Sequence, residues 1–154
     1  MCGEASVPLI VNDRADIARL LGAGLHVGQD DLAPRDARTV LGAEPILGFS
    51  THNPRQLLLA RDEPVDYLAV GPVFETSSKR NPDPVVGLEC IRAAREGTRK
   101  PLVAIGGITL QNASLALQAG ADSIAVIGGL LPAGATATTL RQRMEEWQQL
   151  LNAV

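Results

Sequence analysis

The chain has 154 residues, 45% hydrophobic and 20% charged, enough apolar material for one core and too little polarity for a disordered or collagen-like chain. A net charge of −3 and 3% aromatic residues leave neither a broad positive field for a phosphate backbone nor rings for base stacking, which disfavours a nucleic-acid binder. Cys2 and Cys90 lie far apart without metal-ligand spacing, and no stretch reaches the ~20 apolar residues of a membrane span, so a soluble protein of the reducing cytoplasm is expected.

Residues 8–11 form the first predicted strand; Asn12-Asp13-Arg14 follows it, then a helix over 15–21 that Gly22 ends. The second strand covers 25–27, and Gly28-Gln29-Asp30-Asp31 comes after it. His26, inside this apolar run, reads as a hydrogen-bonded structural histidine. A helix over 34–41 stops at Gly42, and the third strand, 46–48, leads to Ser50-Thr51-His52. Asn53-Pro54 supplies an N-cap acceptor and a first-turn proline for a helix over 54–61. The fourth strand, 67–70, opens the longest loop, 71–86, which carries Thr76-Ser77-Ser78-Lys79-Arg80. A helix over 88–96, with Gly97 behind it, leads to a fifth strand, 102–105, and then to Gly106-Gly107. Thr109 is a candidate N-cap for a helix over 111–119, which Gly120 ends. The sixth strand, 123–126, precedes Gly128-Gly129, and a last helix spans 138–151 with Met144, Trp147 and Leu151 as a core-facing stripe.

This alternation predicts an α/β fold with a parallel sheet, residues 1–154 forming one domain and chemistry lying at the carboxyl ends of the strands. Asp13 and Asp31 follow neighbouring strands, so they either cap the next helices or converge on a hard cation such as magnesium, which takes oxygen ligands. The hydroxyls and Lys79 of the long loop read as a phosphate clamp or as a plain polar loop. Gly106-Gly107 and Gly128-Gly129 singly are turn glycines; together, after the last two strands, they suit a phosphate held by backbone N–H groups. No nucleophile elbow accompanies Ser50 and His52, which argues against a serine hydrolase and leaves His52 as a proton shuttle.

The strings Leu9-Ile10-Val11-Asn12-Asp13-Arg14, His26-Val27-Gly28-Gln29-Asp30-Asp31, Gly48-Phe49-Ser50-Thr51-His52, Gly71-Pro72-Val73-Phe74-Glu75-Thr76-Ser77-Ser78-Lys79, Ala104-Ile105-Gly106-Gly107-Ile108-Thr109 and Ala119-Gly120-Ala121-Asp122 resemble the thiamine-phosphate synthase family. Their order and spacing agree across almost the whole chain. The resemblance implies a (β/α)8 TIM-barrel type, of which this chain supplies about six units. It also implies that hydroxymethylpyrimidine diphosphate is joined to hydroxyethylthiazole phosphate, with Mg²⁺ and release of pyrophosphate. By the same resemblance, Asp13 and Asp31 hold the metal, Asn12 lies near the diphosphate, and Ser50 contacts the pyrimidine near its reactive carbon. Thr76, Ser78 and Lys79 bind phosphate groups, with Ser50 and Lys79 as catalytic residues, while Gly107, Ile127 and Gly128 line the thiazole-phosphate site. The implied mechanism is dissociative: pyrophosphate leaves, a pyrimidine cation forms, and the thiazole nitrogen captures it.

The sequence departs from the family at Ser78, where threonine is usual, at Gly128, where serine is usual, and in the turn Gly22-Ala23-Gly24, which is one residue shorter. Two strand-helix units with a Gln-x-Arg-x-Lys pattern are also missing, so a further segment or association with another chain is expected to complete the barrel. Two other readings compete. One is a thiazole tautomerase using His52; the other is a non-catalytic module that binds a phosphorylated ligand.

Overall fold

The structure, a computed structural model, describes residues 2, 4–76, 83–131 and 134–153. Strands and helices alternate: β1 (Ile10–Asn12), α1 (Ala15–Leu21), β2 (Gly24–Val27), α2 (Pro34–Leu41), β3 (Leu47–Thr51), α3 (Pro54–Ala60), β4 (Tyr67–Val70), α4 (Gly87–Gly97), β5 (Leu102–Ile105), α5 (Ala113–Gln118), β6 (Ser123–Ala125) and α6 (Ala137–Asn152). The strands form one sheet in sequence order, β1 to β6, every neighbouring pair parallel. Right-handed crossovers between sequential parallel strands put the helices on one face. This is the arrangement of a (β/α)8-type barrel, carried through six units.

Side chains alternate across a strand. Leu25, Val27, Leu47, Leu68, Val70, Leu102 and Ala104 are buried against Ala18, Ala37, Leu41, Leu57, Ile91 and Ala116, so the core lies between the sheet and its helices. Small alanines on the helices let them approach these larger strand residues closely. The opposite face of the sheet carries His26, Ser50 and Tyr67, with His26 hydrogen-bonded to each of the other two. Among the described residues no helix is long and apolar enough to cross a membrane.

Local signals fix several boundaries. Gly22 ends α1 in the left-handed conformation at φ 61°, and Asn53 caps α3 by accepting the Gln56 N–H at 2.9 Å. Three expectations are corrected. β3 runs on to Thr51, because Ser50 and Thr51 pair in register with Ala69 and Val70; polar side chains conceal a ladder that backbone groups make. Thr109 does not cap α5. The Asn112 side chain instead accepts the Thr109 N–H at 2.8 Å and donates to Gly107 O at 2.9 Å, bracing the loop so that the helix starts at Ala113. In α6 only Trp147 of the expected stripe is buried; Met144 and Leu151 are 44% and 47% exposed.

Candidate active site

His26 of β2, Gly48 of β3 and Tyr67 of β4 occupy one register row across three neighbouring strands. Gly48 has no side chain, and a Cβ there would collide with the Tyr67 ring. The ring therefore crosses β3 and stacks near His26, with centroids 5.5 Å apart. The Tyr67 hydroxyl lies 2.9 Å from His26 Nδ1, and His26 Nε2 lies 2.8 Å from Ser50 Oγ. The structural role expected for His26 thus includes a hydrogen bond to a predicted catalytic serine.

Burial pushes the His26 imidazole below its ordinary value of 6.5; the neighbouring His52 adds to this and the Asp31 carboxylate opposes it. Below pH 6.5 the unfolded chain therefore binds more protons at His26 than the folded chain does, and stability falls as pH drops through that window. Denaturant titrations of the natural chain and His26→Gln at about pH 7.5 and about pH 5.5 check this. The natural chain is expected to lose more stability on acidification; equal losses would refute it.

Two adjoining cavities open at the carboxyl ends of the strands, of about 490 Å³ and about 590 Å³. Asn12, Ser50, His52 and Asp83 line both and so form their common wall. The smaller cavity is acidic, with Asp13, Asp30 and Asp31 beside His26, Gln29 and Gln56. Neither Asp13 nor Asp31 caps a helix: the N-cap positions of α1 and α2 are Arg14 and Ala33, with no side-chain cap. Asp31 Oδ2 accepts the Gly28 N–H at 2.7 Å, which folds the loop after β2 back upon itself. Asp13 holds a left-handed backbone at φ 63°, a conformation that aspartate and asparagine tolerate better than other side chains. These oxygen donors fit magnesium, which takes one or two carboxylates and completes its shell with water and substrate phosphate. Among the described residues no cluster of three or more metal-ligating side chains forms, so protein groups alone do not make a closed cage.

The larger cavity is lined by Thr76, Gly107, Ile127 and Gly128, all predicted site residues, and by the loops after β4, β5 and β6. Gly106 and Gly107 have φ of 90° and 67°, and a Cβ on either would collide with Pro72 or with Phe74 and Glu75. Their glycine character lets the β4 loop close over the β5 loop, as well as exposing backbone to the cavity. Ser78 and Lys79 lie outside the described residues.

His52 was singled out in the sequence, but its surroundings were not. Its Nδ1 lies 2.7 Å from Gly71 O; a carbonyl only accepts, so Nδ1 carries the proton and Nε2 is the basic nitrogen of the neutral ring. Asp83 Oδ2 stands 3.8 Å from the same Nδ1, and Gln56 Oε1 accepts the His52 backbone N–H at 2.6 Å. Asp83, Gln29, Gln56 and Tyr67 were missed as site residues. Register with His26 and Gly48 was the available signal for Tyr67; for Asp83 there was only a carboxylate between two prolines in the longest loop.

Residues 1–130 match the family model described as thiamine monophosphate synthase. A thiamine-phosphate synthase of Koribacter versatilis is 55% identical over 148 residues, covering 96% of this chain and 67% of that protein. The enzyme of the same name from Chloroflexus aurantiacus is 45% identical over 140 residues, 90% of this chain and 64% of that one. Among solved structures, a thiamine phosphate pyrophosphorylase from Pyrococcus furiosus superposes with a TM-score of 0.85 at 32% identity, covering 99% of this chain and 71% of that one. The chain spans about two thirds of the length of the curated relatives it matches.

Proposed function

Because the chain belongs to the thiamine monophosphate synthase family, we propose that it joins hydroxymethylpyrimidine diphosphate to hydroxyethylthiazole phosphate, releasing pyrophosphate in the cytoplasm. The observation that carries this reading is the pair of adjoining cavities with Asn12, Ser50, His52 and Asp83 as their common wall. A reaction that joins two phosphorylated substrates requires two pockets meeting at the reacting atoms, which brings them within attack distance.

In this reading the acidic cavity takes the diphosphate end. Asp13 and Asp31 hold Mg²⁺ there, and Asn12 lies beside the phosphates. The metal supplies charge neutralisation for the departing pyrophosphate. Ser50, on the common wall, donates a hydrogen bond as negative charge builds on the leaving oxygen. The larger cavity takes the thiazole phosphate, with Gly107, Ile127 and Gly128 lining it and Thr76, Ser78 and Lys79 binding phosphate from the β4 loop. Lys79 also serves catalysis as a point charge for the leaving group. The β1–α1 end of the sheet, where Val7 before β1 and Leu20 of α1 are 56% and 81% exposed, is where a further segment or a second copy would act.

The decisive experiment supplies both substrates and Mg²⁺ to the chain and measures thiamine phosphate and pyrophosphate. Turnover that Asp31→Ala loses is expected. A folded sample that binds thiazole phosphate in a calorimeter without turnover would replace the enzyme with a binding module.

The fixed Nδ1–H tautomer of His52 favours one second reading, a thiazole tautomerase in which Nε2 moves the proton. His52→Ala abolishing all activity while Asp31→Ala leaves it intact would select that reading over the synthase.

A further inference from the structure

We propose that Tyr67 is a positioning residue that acts through His26: it turns the hydroxyl hydrogen of Ser50 toward the cavities, making Ser50 a donor to substrate oxygen. The use of that donor rests on the synthase reading; its direction follows from the hydrogen-bond chain alone.

Among the described residues the chain of bonds is fully satisfied in one direction. Among the described residues the Tyr67 hydroxyl meets one partner, His26 Nδ1, at 2.9 Å. A part-buried phenol with one partner donates to it, since an orphaned O–H is costly. Burial also pushes the Tyr67 hydroxyl above its ordinary value, which keeps its proton in place. Nδ1 is then the acceptor nitrogen and Nε2 carries the imidazole proton. Nε2 lies 2.8 Å from Ser50 Oγ and donates to it. With a lone pair of Oγ so occupied, the serine hydrogen points away from the imidazole. Ser50 lines both cavities, so that hydrogen is available to a ligand oxygen there. In the opposite tautomer the serine would donate into the protein and the phenol hydrogen would have no acceptor among the described residues.

Three strands build this relay, and Gly48 permits it. A side chain at Gly48 would strike the Tyr67 ring and push its hydroxyl off His26.

The chain has two histidines, so ¹⁵N-histidine labelling reads both tautomers in one NMR spectrum. His52 is the internal reference, with Nδ1–H fixed by Gly71 O. Opposite tautomers are expected, Nε2–H for His26 and Nδ1–H for His52. An Nδ1–H tautomer at His26 would overturn the inference whatever the activity. In Tyr67→Phe the His26 signals should move to an Nδ1–H or mixed tautomer while those of His52 stay. A role limited to packing would leave the tautomer unchanged, and that result also overturns the inference. For the reaction, Tyr67→Phe should lower kcat about tenfold with little change in KM, and should cost nothing further in a Ser50→Ala background. If no turnover is seen in the natural chain, the synthase reading fails while the tautomers still decide the relay.

Discussion

Ser50→Ala is expected to lower kcat for thiamine phosphate formation by about 10²–10³, the usual loss when one preorganised donor to a developing negative charge is removed. The serine hydroxyl is held at one end by His26 Nε2 at 2.8 Å and stands on the wall common to both cavities. It does not have to reorganise as the carbon–oxygen bond to the diphosphate breaks. Such a donor gains strength as charge moves onto the leaving pyrophosphate, so kcat and kcat/KM should fall together, with KM within a few-fold of its natural value. Steady-state kinetics with each substrate varied in turn measures this. A kcat within threefold of the natural chain would remove Ser50 from the chemistry. The alanine also leaves the His26 Nε2–H without its partner, so a stability loss of about 1–2 kcal/mol should accompany the kinetic effect. Ser50→Thr, which keeps the hydroxyl, separates the two: it should retain much of the rate if the added methyl fits.

The strand order was legible because hydrophobic runs bounded by helices admit few topologies, and the strands at 67–70 and 102–105 coincide with β4 and β5. The end of β3 was not, since pairing by Ser50 and Thr51 is backbone chemistry that hydropathy does not see. At the site, the residues at and just beyond the carboxyl ends of the strands were found because polar residues after apolar runs stand out: Asn12, Asp13, Asp31, Ser50, His52 and Thr76 each line one or both cavities. Tyr67 escaped because a tyrosine in a strand looks like sheet filling. Its function depends on a glycine 19 positions earlier on the next strand, a relation fixed only by register. His26 looked structural for the same reason. It sits in an apolar run, and nothing local to that run points to a serine 24 residues away.

The second large effect concerns the end of the sheet opposite the site. Arg38 of α2 donates to Pro64 O at 3.1 Å, Pro45 O at 2.7 Å and Gly42 O at 3.2 Å, and pairs with Asp66 Oδ2 at 2.7 Å. Asp66 Oδ2 also accepts the Leu47 N–H, the first of β3, at 2.7 Å. Two units later Arg95 of α4 repeats the device. It donates to Thr98 O and Lys100 O and pairs with Asp122 Oδ2 at 2.8 Å, which accepts the Leu102 N–H at the start of β5. At the two strands flanking β3 the corresponding bonds go to main chain: Leu25 N–H of β2 and Leu68 N–H of β4 bond the backbone carbonyls of Ile46 and Pro101. A planar guanidinium can reach several carbonyls at once, which a lysine ammonium on its single point cannot. Arg38→Ala should therefore cost about 2–3 kcal/mol, after discounting the half-exposed Asp66 partner, and Arg38→Lys should recover less than half of it. For a chain of this size that is a fall in Tm of roughly 5–10 °C. The two clamps share no hydrogen-bond partner, so Arg38→Ala and Arg95→Ala should add to within ~0.5 kcal/mol in the double variant. Strong coupling between them would mean that the strand starts are held as one unit rather than two. A loss under ~0.5 kcal/mol for Arg38→Ala would mean that water replaces the guanidinium without penalty, as it does at most exposed ion pairs.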